Sequence, residues 1–436
     1  MGRRCLVLSA SMGAGHDAVA GELARRLRAG GHDVLVRDVL TLLPPGAGPA
    51  VRGFYRFVVR RLPPVYAAIH AMFLAPRPGR GRGADVSPMA VLAERRLGAL
   101  VAAWRPDVVV STFHLAGQVT GRMRGQGALR VPCAVFVTDF AVHRAWLDPG
   151  NDLYLCVSEA AARAAREGTG RAAVATGPVV PPEFHRSRAG AGRGAGGRPV
   201  VLLSGGAWGV GPGLARTAGA LARHGFEPVL LCGRDERLRR RAGRLPGVRA
   251  LGWTDDMPGL LASARVLVDN AAGQTAVQAL AAGVPVVGFR PIAGHGAAGV
   301  REMAAEGLTV YADDLPGLLA AVGELARPGA ARDRRTAAGS ALFRADADAA
   351  RLVAGLAECR GEPGGPGDPE GLDGLEGLGG PDRAGSVGRT PPVDDATGRE
   401  DDSGPVGPGG PGGPAGPTDR RGPIDLSGLA DRDSEG

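Results

Sequence analysis

The sequence predicts an α/β protein made of two successive doubly wound units that face a shared cleft, followed by a disordered tail. Three observations carry this expectation. Short apolar runs alternate with helical patterns, and the alternation restarts near residue 199. A Gly/Arg/Ala stretch, "RSRAGAGRGAGGR" (186–198), separates the two series and holds no core-forming residues. From residue 361 the chain turns to Gly, Pro and Asp, a composition that buries too little surface to offset ordering entropy.

In the first series "CLVLSAS" reads as a buried strand, 17–29 as a helix and "DVLVRDV" as a second strand, the opening of a parallel sheet. "RPDVVVSTF" (105–113), "VPCAVFVTDF" (131–140) and "DLYLCVS" (152–158) add further strands. The second series reads "PVVLLSGG", "EPVLLCG", "GVRALGW", "RVLVDN", "VPVVGF" and "LTVYA" as strands. Helices are expected near 213–224, 234–243, 255–263, 273–282 and 297–307. The expected organisation is an N-terminal unit over 1–185, a linker over 186–198 and a C-terminal unit over 199–345. A closing helix over 346–360 and a tail over 361–436 complete it.

All 52 basic residues are Arg, which reads as genome-wide codon bias, so no single Arg is special for not being Lys. The net charge of +8 hides an asymmetry. Residues 361–436 carry 16 acids against 6 Arg, a balance of −10, and the preceding 360 carry +18. A basic body points to an anionic partner: a nucleotide, a membrane surface or a nucleic acid. With aromatics at 4% and no aromatic-basic RNA motif, nucleic acid is disfavoured. The five cysteines form no CxxC pair, which argues against a zinc site or disulfide framework and for a reducing cytosol. The apolar run Cys5–Leu8 is too short for a secretory leader. No stretch approaches the roughly 20 apolar residues of a spanning helix, so a soluble or peripheral protein is expected.

Residues 51–82 differ in character. Val51, Phe54, Tyr55, Val58, Val59 and Leu62 fall on one helical face, while Arg52, Arg56 and Arg60 run down another with Arg61 beside them. Two readings stand: a core-packed helix with a solvated basic side, or an interfacial helix whose arginines meet anionic headgroups. Phe73 and Leu74, just before a loop with Arg77, Arg80 and Arg82, support the second.

Several loops carry candidate chemistry. "SASMGAGH" (9–16) follows the first strand; Gly13 and Gly15 suggest a phosphate cradle and Asp38 stands where a dinucleotide fold has its ribose acid. The third glycine is absent, with Ala18 in its place, and His16 ends the loop. "SGGAWGVGPG" (204–213) and "DNAAGQTAVQALAAG" (269–283) each follow a strand and open a helix, so Gly205, Gly206, Gly273 and Thr275 are candidate anion-binding positions. "TDFAVHRAW" places Asp139, His143 and Trp146 after a strand. Asp139 and His143 are adjacent if that segment is helical, suited to orienting a base or a sugar hydroxyl rather than a metal. His295 is a further loop histidine, whereas His32, His70, His185 and His224 have no constellation around them.

Taken in order, "GxGH", "PDVVVSTF", "TDFxxHxxW", "TGPVVPPEF" and "GWTDDMPGLLASARVLVDNAAGQTAVQALAAGVPVV" resemble the monogalactosyldiacylglycerol synthase and processive diacylglycerol glucosyltransferase family. That family is related to the peptidoglycan lipid-intermediate N-acetylglucosaminyltransferase, and the resemblance covers roughly residues 4–345. It implies a GT-B fold of two Rossmann-like domains, with the acceptor in the first and a UDP-sugar in the second. Transfer to a lipid acceptor, most simply diacylglycerol, would invert the sugar, without cofactor or obligatory metal, at the cytoplasmic membrane face. The resemblance assigns His16 as the base or orienting group, with Asp139 as its rival. Gly13, Gly15, His143 and Trp146 would line the acceptor cleft. The turn ending at Trp253 would hold uracil, and Asn270, Gly273, Gln274, Thr275, Gln278 and His295 would face the UDP-sugar. Phe54, Arg56, Arg60, Arg61 and Phe73 would dock on the membrane.

The chain departs from the family pattern at three places. Gln278 replaces the acid that grips ribose, His295 stands where Gln is expected, and "GPVVPPEF" (177–184) lacks an Arg often found there. Three rival readings share this scaffold: a nucleotide-sugar epimerase, a dinucleotide oxidoreductase using Asp38, and a nucleotide-sugar-binding sensor. No readable pattern encodes an oligomeric state.

Overall fold

The computed structural model describes residues 2–74, 87–186, 197–345 and 347–358. The chain divides into two units, Met1–Gly380 and Pro381–Gly436, and the described residues belong to the first. Arg77, Arg80 and Arg82, linker positions 187–196 and the expected tail over 361–436 lie outside them.

The first sheet comprises β1 (Arg4–Ser9), β2 (Asp33–Asp38), β3 (Val108–Ser111), β4 (Cys133–Val137), β5 (Leu153–Cys156) and β6 (Ala172–Ala175). Its order is β2-β1-β3-β4-β5-β6 and every pairing is parallel, with Cys5 opposite Val34 on one side and Val108 on the other. The second sheet holds β7 (Val200–Ser204), β8 (Glu227–Leu231), β9 (Arg249–Leu251), β10 (Val266–Asp269), β11 (Val286–Phe289) and β12 (Thr309–Ala312). It is also parallel, in the order β12-β11-β10-β7-β8-β9. Helices cover both faces of such sheets, so the strands must be apolar on both sides. The continuous runs meet that demand: every residue of β3, β4, β5, β7 and β10 is buried. Strand order reverses between β1 and β3 and between β7 and β10, and ligands of open α/β sheets bind at the carboxyl ends of such switch points.

The helices of the first half are α1 (Gly15–Ala29), α2 (Ala47–Arg61), α3 (Pro63–Phe73), α4 (Pro88–Trp104), α5 (His114–Gly125), α6 (Glu159–Thr169) and α7 (Pro182–Arg186). Those of the second are α8 (Leu214–Arg223), α9 (Glu236–Ala242), α10 (Met257–Ser263), α11 (Gln274–Ala281), α12 (His295–Ala305), α13 (Leu315–Leu325), α14 (Ala330–Ala341) and α15 (Ala349–Leu356). α15 crosses back to the first sheet. Its Val353 and Leu356 share a core with Leu23 and Leu27 of α1, and Arg26 lies 3.7 Å from Asp348.

The structure departs from the sequence expectation in three respects. β6 was not anticipated, because its "AAVA" run is alanine-rich and alanine favours strands poorly. α13 and α14 follow the expected set as additional layers. His295 is not in a loop but is the first residue of α12, after Gly294 in a left-handed turn.

Candidate active site

His16 enters the site from the first turn of α1. Gly13 just before it has φ of +144°, a conformation a side chain resists, so the chain can turn sharply off β1 only with glycine there. Ser9 Oγ donates to Asp17 Oδ1 at 2.6 Å, and Thr112 Oγ1 lies 3.4 Å from the His16 carbonyl, tying the turn to the ends of β1 and β3. His16 Nδ1 is 3.0 Å from the Thr112 carbonyl oxygen. A carbonyl only accepts, so the proton sits on Nδ1 and the lone pair on Nε2. Burial lowers the His16 pKa below 6.5, against the upward pull of the Asp139 carboxylate and the Thr112 carbonyl. A neutral imidazole with a fixed tautomer is the form a general base requires.

The segment after β4 is an irregular bend ending in a 3-10 turn over Arg144–Trp146 rather than an α-helix, yet it brings Asp139, His143 and Trp146 together. The fully buried Trp146 donates its indole N–H to Asp139 Oδ2 at 2.9 Å, and His143 Nε2 lies 3.5 Å from the same oxygen. That oxygen thus serves two neighbours, which makes Asp139 an organiser of the bend. Burial, reinforced by the fields of His295, His70 and His16, lowers His143 to about 3, so it is neutral. Its Nδ1 is buried with no partner among the described residues. Arg144 of the same segment caps α3, its Nε 2.5 Å from the Phe73 carbonyl and its backbone N–H 3.1 Å from that of Leu74.

A cavity of about 720 Å³ lies against these groups. Its polar end is lined by His16, His114, Asp139, His143 and His295, and its apolar wall by α2, α3 and α4, including Val51, Tyr55 and Ile69. The exposed Phe54, Met72 and Phe73 also line it, so it runs from the surface to the histidines. His114 was not among the residues singled out by sequence, and His70 was set aside there; both belong to this cluster. The His114 ring lies 5.1 Å from that of His143 and 5.9 Å from that of Trp146, and His70 lies 6.4 Å from His143. In sequence His114 merely opens a helix, and no local spacing links it to His143.

The amphipathic stretch forms two helices, and its apolar side is split. Val58 and Val59 are buried with Tyr66 against Val210 and Ile292 of the second lobe, whereas Phe54 and Leu62 are exposed at 62% and 41%. Six of the nine large exposed apolar side chains among the described residues lie on α2 and α3 or between them: Phe54, Phe57, Leu62, Val65, Met72 and Phe73. Such concentration marks an interaction surface. Arg56 and Arg61 are exposed beside it, but Arg60 is not on a free basic face, because it pairs with Asp235 of the second lobe.

On the second lobe, α11 has Gly273 as its N-cap in extended backbone and no side-chain cap, so its first-turn amides suit an anion. Thr275 is in that turn, and Gln278, one turn on, is half-buried. Asp269 Oδ2 shapes the preceding loop by accepting from the amides of Ala271 and Ala272 at 2.9 and 2.7 Å. The buried Asn270 donates to the Val210 carbonyl at 2.9 Å, and Gln274 Nε2 lies 3.3 Å from the Val179 carbonyl, so these side chains hold loops rather than face outward. A Cβ on Gly15 would stand 3.5 Å from Gln274 Cβ: the two switch-point loops meet across the cleft.

Two expectations need correction here. The amides of Gly205 and Gly206 are taken, by the Leu231 carbonyl at 3.2 Å and Ser204 Oγ at 3.3 Å, and they lie well before the start of α8. Asp38 accepts from Ser11 Oγ at 2.6 Å and caps the 3-10 turn at Leu40 at 2.8 Å, so its carboxylate has a structural role at the ends of β1 and β2. Trp253 is 47% exposed, under Arg234 at 4.6 Å and 3.1 Å from Asp255. Among the described residues no group of three or more His, Cys, Asp or Glu is arranged to hold a metal ion. None of the described helices is long and apolar enough to cross a membrane.

Residues 16–180, from His16 through the Asp139 segment, match the family model for monogalactosyldiacylglycerol (MGDG) synthase. The processive diacylglycerol beta-glucosyltransferase of Bacillus subtilis (strain 168) is 24% identical over 222 residues, 47% of this chain and 56% of that protein. The chloroplastic monogalactosyldiacylglycerol synthase of Spinacia oleracea is 25% identical over 339 residues, 71% of this chain and 63% of that protein. The matched part therefore spans little more than half the length of the bacterial relative. Acinetobacter baumannii MurG superposes with a TM-score of 0.51 at 16% identity, over 82% of this chain and 99% of its own. Two six-stranded parallel sheets and this superposition define the fold as GT-B, and the chain is a distant homologue of the MGDG synthase and processive diacylglycerol glucosyltransferase family.

Proposed function

We propose that the protein is an inverting hexosyltransferase that moves a hexose from a UDP-sugar to the hydroxyl of diacylglycerol at the cytoplasmic face of a membrane. The observation that carries this reading is the cavity. It is apolar from the exposed Phe54 and Phe73 inward and ends at His16, Asp139, His143 and His295, and the uncapped start of α11 approaches the His16 loop at Gly15. An acyl chain suits the wall and a hydroxyl suits the histidine end. The names of the relatives, which are lipid glycosyltransferases, favour the same acceptor class.

In this mechanism the acceptor O–H gives its proton to His16 Nε2 while its oxygen bonds to the anomeric carbon. The bond from that carbon to the diphosphate breaks, and UDP leaves with the electron pair. First-turn amides at Gly273–Thr275 stabilise the charge that develops on the diphosphate. The field of Asp139 favours the imidazolium that forms on His16. No step calls for a metal. The apolar surface of α2 and α3, with Arg52, Arg56 and Arg61, would dock on anionic lipid, so that the acceptor enters without crossing water.

Purified protein, UDP-[14C]glucose or UDP-[14C]galactose and diacylglycerol liposomes test the reading. The expected result is a labelled β-glycolipid with equimolar UDP, unchanged by EDTA. UDP-sugar binding without transfer would replace the enzyme by a sensor, and conversion of one UDP-sugar into another would make it an epimerase.

A further inference from the structure

α3 belongs to the lipid-facing side of the cleft, yet its one buried side chain, Tyr66, reaches the second lobe. Tyr66 Oη lies 2.6 Å from His295 Nδ1, and the rings cross edge-on at 88° with centroids 5.7 Å apart. The backbone beneath His295 is also held from this side. Gly294 has φ of +79°, and a Cβ there would stand 2.7 Å from the His70 ring of α3. His295 itself lines the cavity together with His16 and Asp139.

The direction of the hydrogen bond follows from chemistry. Burial raises the Tyr66 phenol far above its ordinary value, so it keeps its proton. Burial lowers His295, so its imidazole is neutral. Tyr66 also shares a hydrogen bond with the Tyr55 side chain; an imidazole nitrogen is a stronger acceptor than a phenol oxygen, so Tyr66 O–H goes to His295 Nδ1 and Tyr66 Oη accepts from Tyr55. The ring proton of His295 then resides on Nε2, and His295 meets a ligand as a hydrogen-bond donor.

Resting on the donor reading above, we infer that Tyr66 is a positioning residue for the sugar donor: it fixes His295 as an Nε2–H donor to a hydroxyl oxygen of the hexose. The diphosphate has its own site at the N-terminus of α11. The loop preceding α11 touches α12 directly, a Cβ on Gly296 standing 3.0 Å from the Asn270 carbonyl oxygen. His295 thus sits beside the diphosphate site but on the cavity side, where a sugar bridging the phosphates and His16 would lie. Sequence could not indicate this pairing, because 229 positions separate the two residues.

Tyr66→Phe keeps the ring and removes only the O–H. Calorimetry with UDP and with UDP-glucose is the test, on wild type, Tyr66→Phe, His295→Ala and the double variant. Tyr66→Phe should weaken UDP-glucose by about 5–10-fold, the effect of one hydrogen bond, and leave UDP unchanged. In the His295→Ala background the same substitution should have no further effect, because Tyr66 acts through His295. In 15N spectra His295 should be Nε2-protonated in the wild type and a tautomer mixture in Tyr66→Phe. Equal weakening of UDP and UDP-glucose, additive effects in the double variant, or an unchanged tautomer would each overturn the inference. A wild type that binds neither UDP nor UDP-glucose would instead sink the donor reading, and the inference with it.

Discussion

Replacing His16 by alanine is the most direct challenge to the proposed chemistry. The structure gives the imidazole a fixed Nδ1 proton through the Thr112 carbonyl at 3.0 Å and a neutral state through burial. Both are lost in His16→Ala, while Thr138 Oγ1, 3.3 Å from Nδ1 in the intact site, has too little basicity to substitute. Asp139 already accepts from Trp146 and lies beside His143, so a vacated His16 position leaves water as the remaining base. Loss of a positioned base costs about 10²–10³-fold in kcat, or ~3–4 kcal/mol of barrier. UDP-sugar affinity should change little, since donor contacts come from the other lobe.

The assay is glycolipid formation on liposomes across pH. The base must be unprotonated, and burial holds its pKa below 6.5. The wild-type kcat/KM should therefore rise with pH along a limb lying below 6.5 and then stay flat to about 8. His16→Ala should lose that limb. Asp139→Asn, acting through the field on His16, should cost about tenfold and move the limb to lower pH. A few-fold loss in His16→Ala beside a hundredfold loss in Asp139→Asn would refute the assignment and make Asp139 the base.

Two further outcomes follow from the same packing. His143 is 7% exposed and its pKa falls to about 3 in the folded chain, against 6.5 unfolded. Its contribution to stability is complete above 6.5 and is lost as pH falls toward the folded value, so urea unfolding at pH 5 should show ~2 kcal/mol less stability than at pH 7 from this group alone. His143→Phe should flatten that part of the curve, and an unchanged pH slope would count against the burial argument. Gly294→Ala places a methyl 2.7 Å from the His70 ring at a φ of +79°, which should cost about 1–3 kcal/mol by urea titration. Full retention of stability would mean that α3 and the α12 entry are not locked together.

Much of this architecture was legible because its strands are buried on both faces. "CLVLS", "VVVS", "CAVFV", "VVLLS" and "VLVD" are apolar runs that leave little choice but a covered parallel sheet. The loops at their ends were legible too, since Gly13, His16, Asp139 and Gly273 follow those strands directly. Residues whose roles come from distant partners were not. His114 gains its place only when β3 and β4 pair and bring it beside His143. Tyr66 sits in an apolar helix that locally reads as packing. The Gly205–Gly206 amides looked available because a sequence does not reveal that Leu231 and Ser204 occupy them. The same holds for Arg60, whose partner Asp235 is 175 positions away.

The distribution of forces around the cleft bears on the proposed transfer reaction. The candidate groups His16, Asp139 and Gly273 follow β1, β4 and β10, strands built into the buried cores. Besides the buried Val58, Val59 and Tyr66 packed against Val210 and Ile292, polar and ring contacts bind α2 and α3 to the second lobe. One is a partly exposed ion pair, Arg60 with Asp235, a class worth up to about 1 kcal/mol. Another is the Tyr66–His295 hydrogen bond, a class worth about 1 kcal/mol, and a third is the Tyr55–Trp208 ring contact at 5.8 Å, of about 0.5–1.5 kcal/mol. Each of these polar and ring contacts is individually weak. α2 and α3 carry the exposed apolar surface. In the proposed reading, lipid contact and donor positioning would be linked through one short hairpin of helices, and Arg144, which caps α3, would carry that link to the Asp139 segment as well.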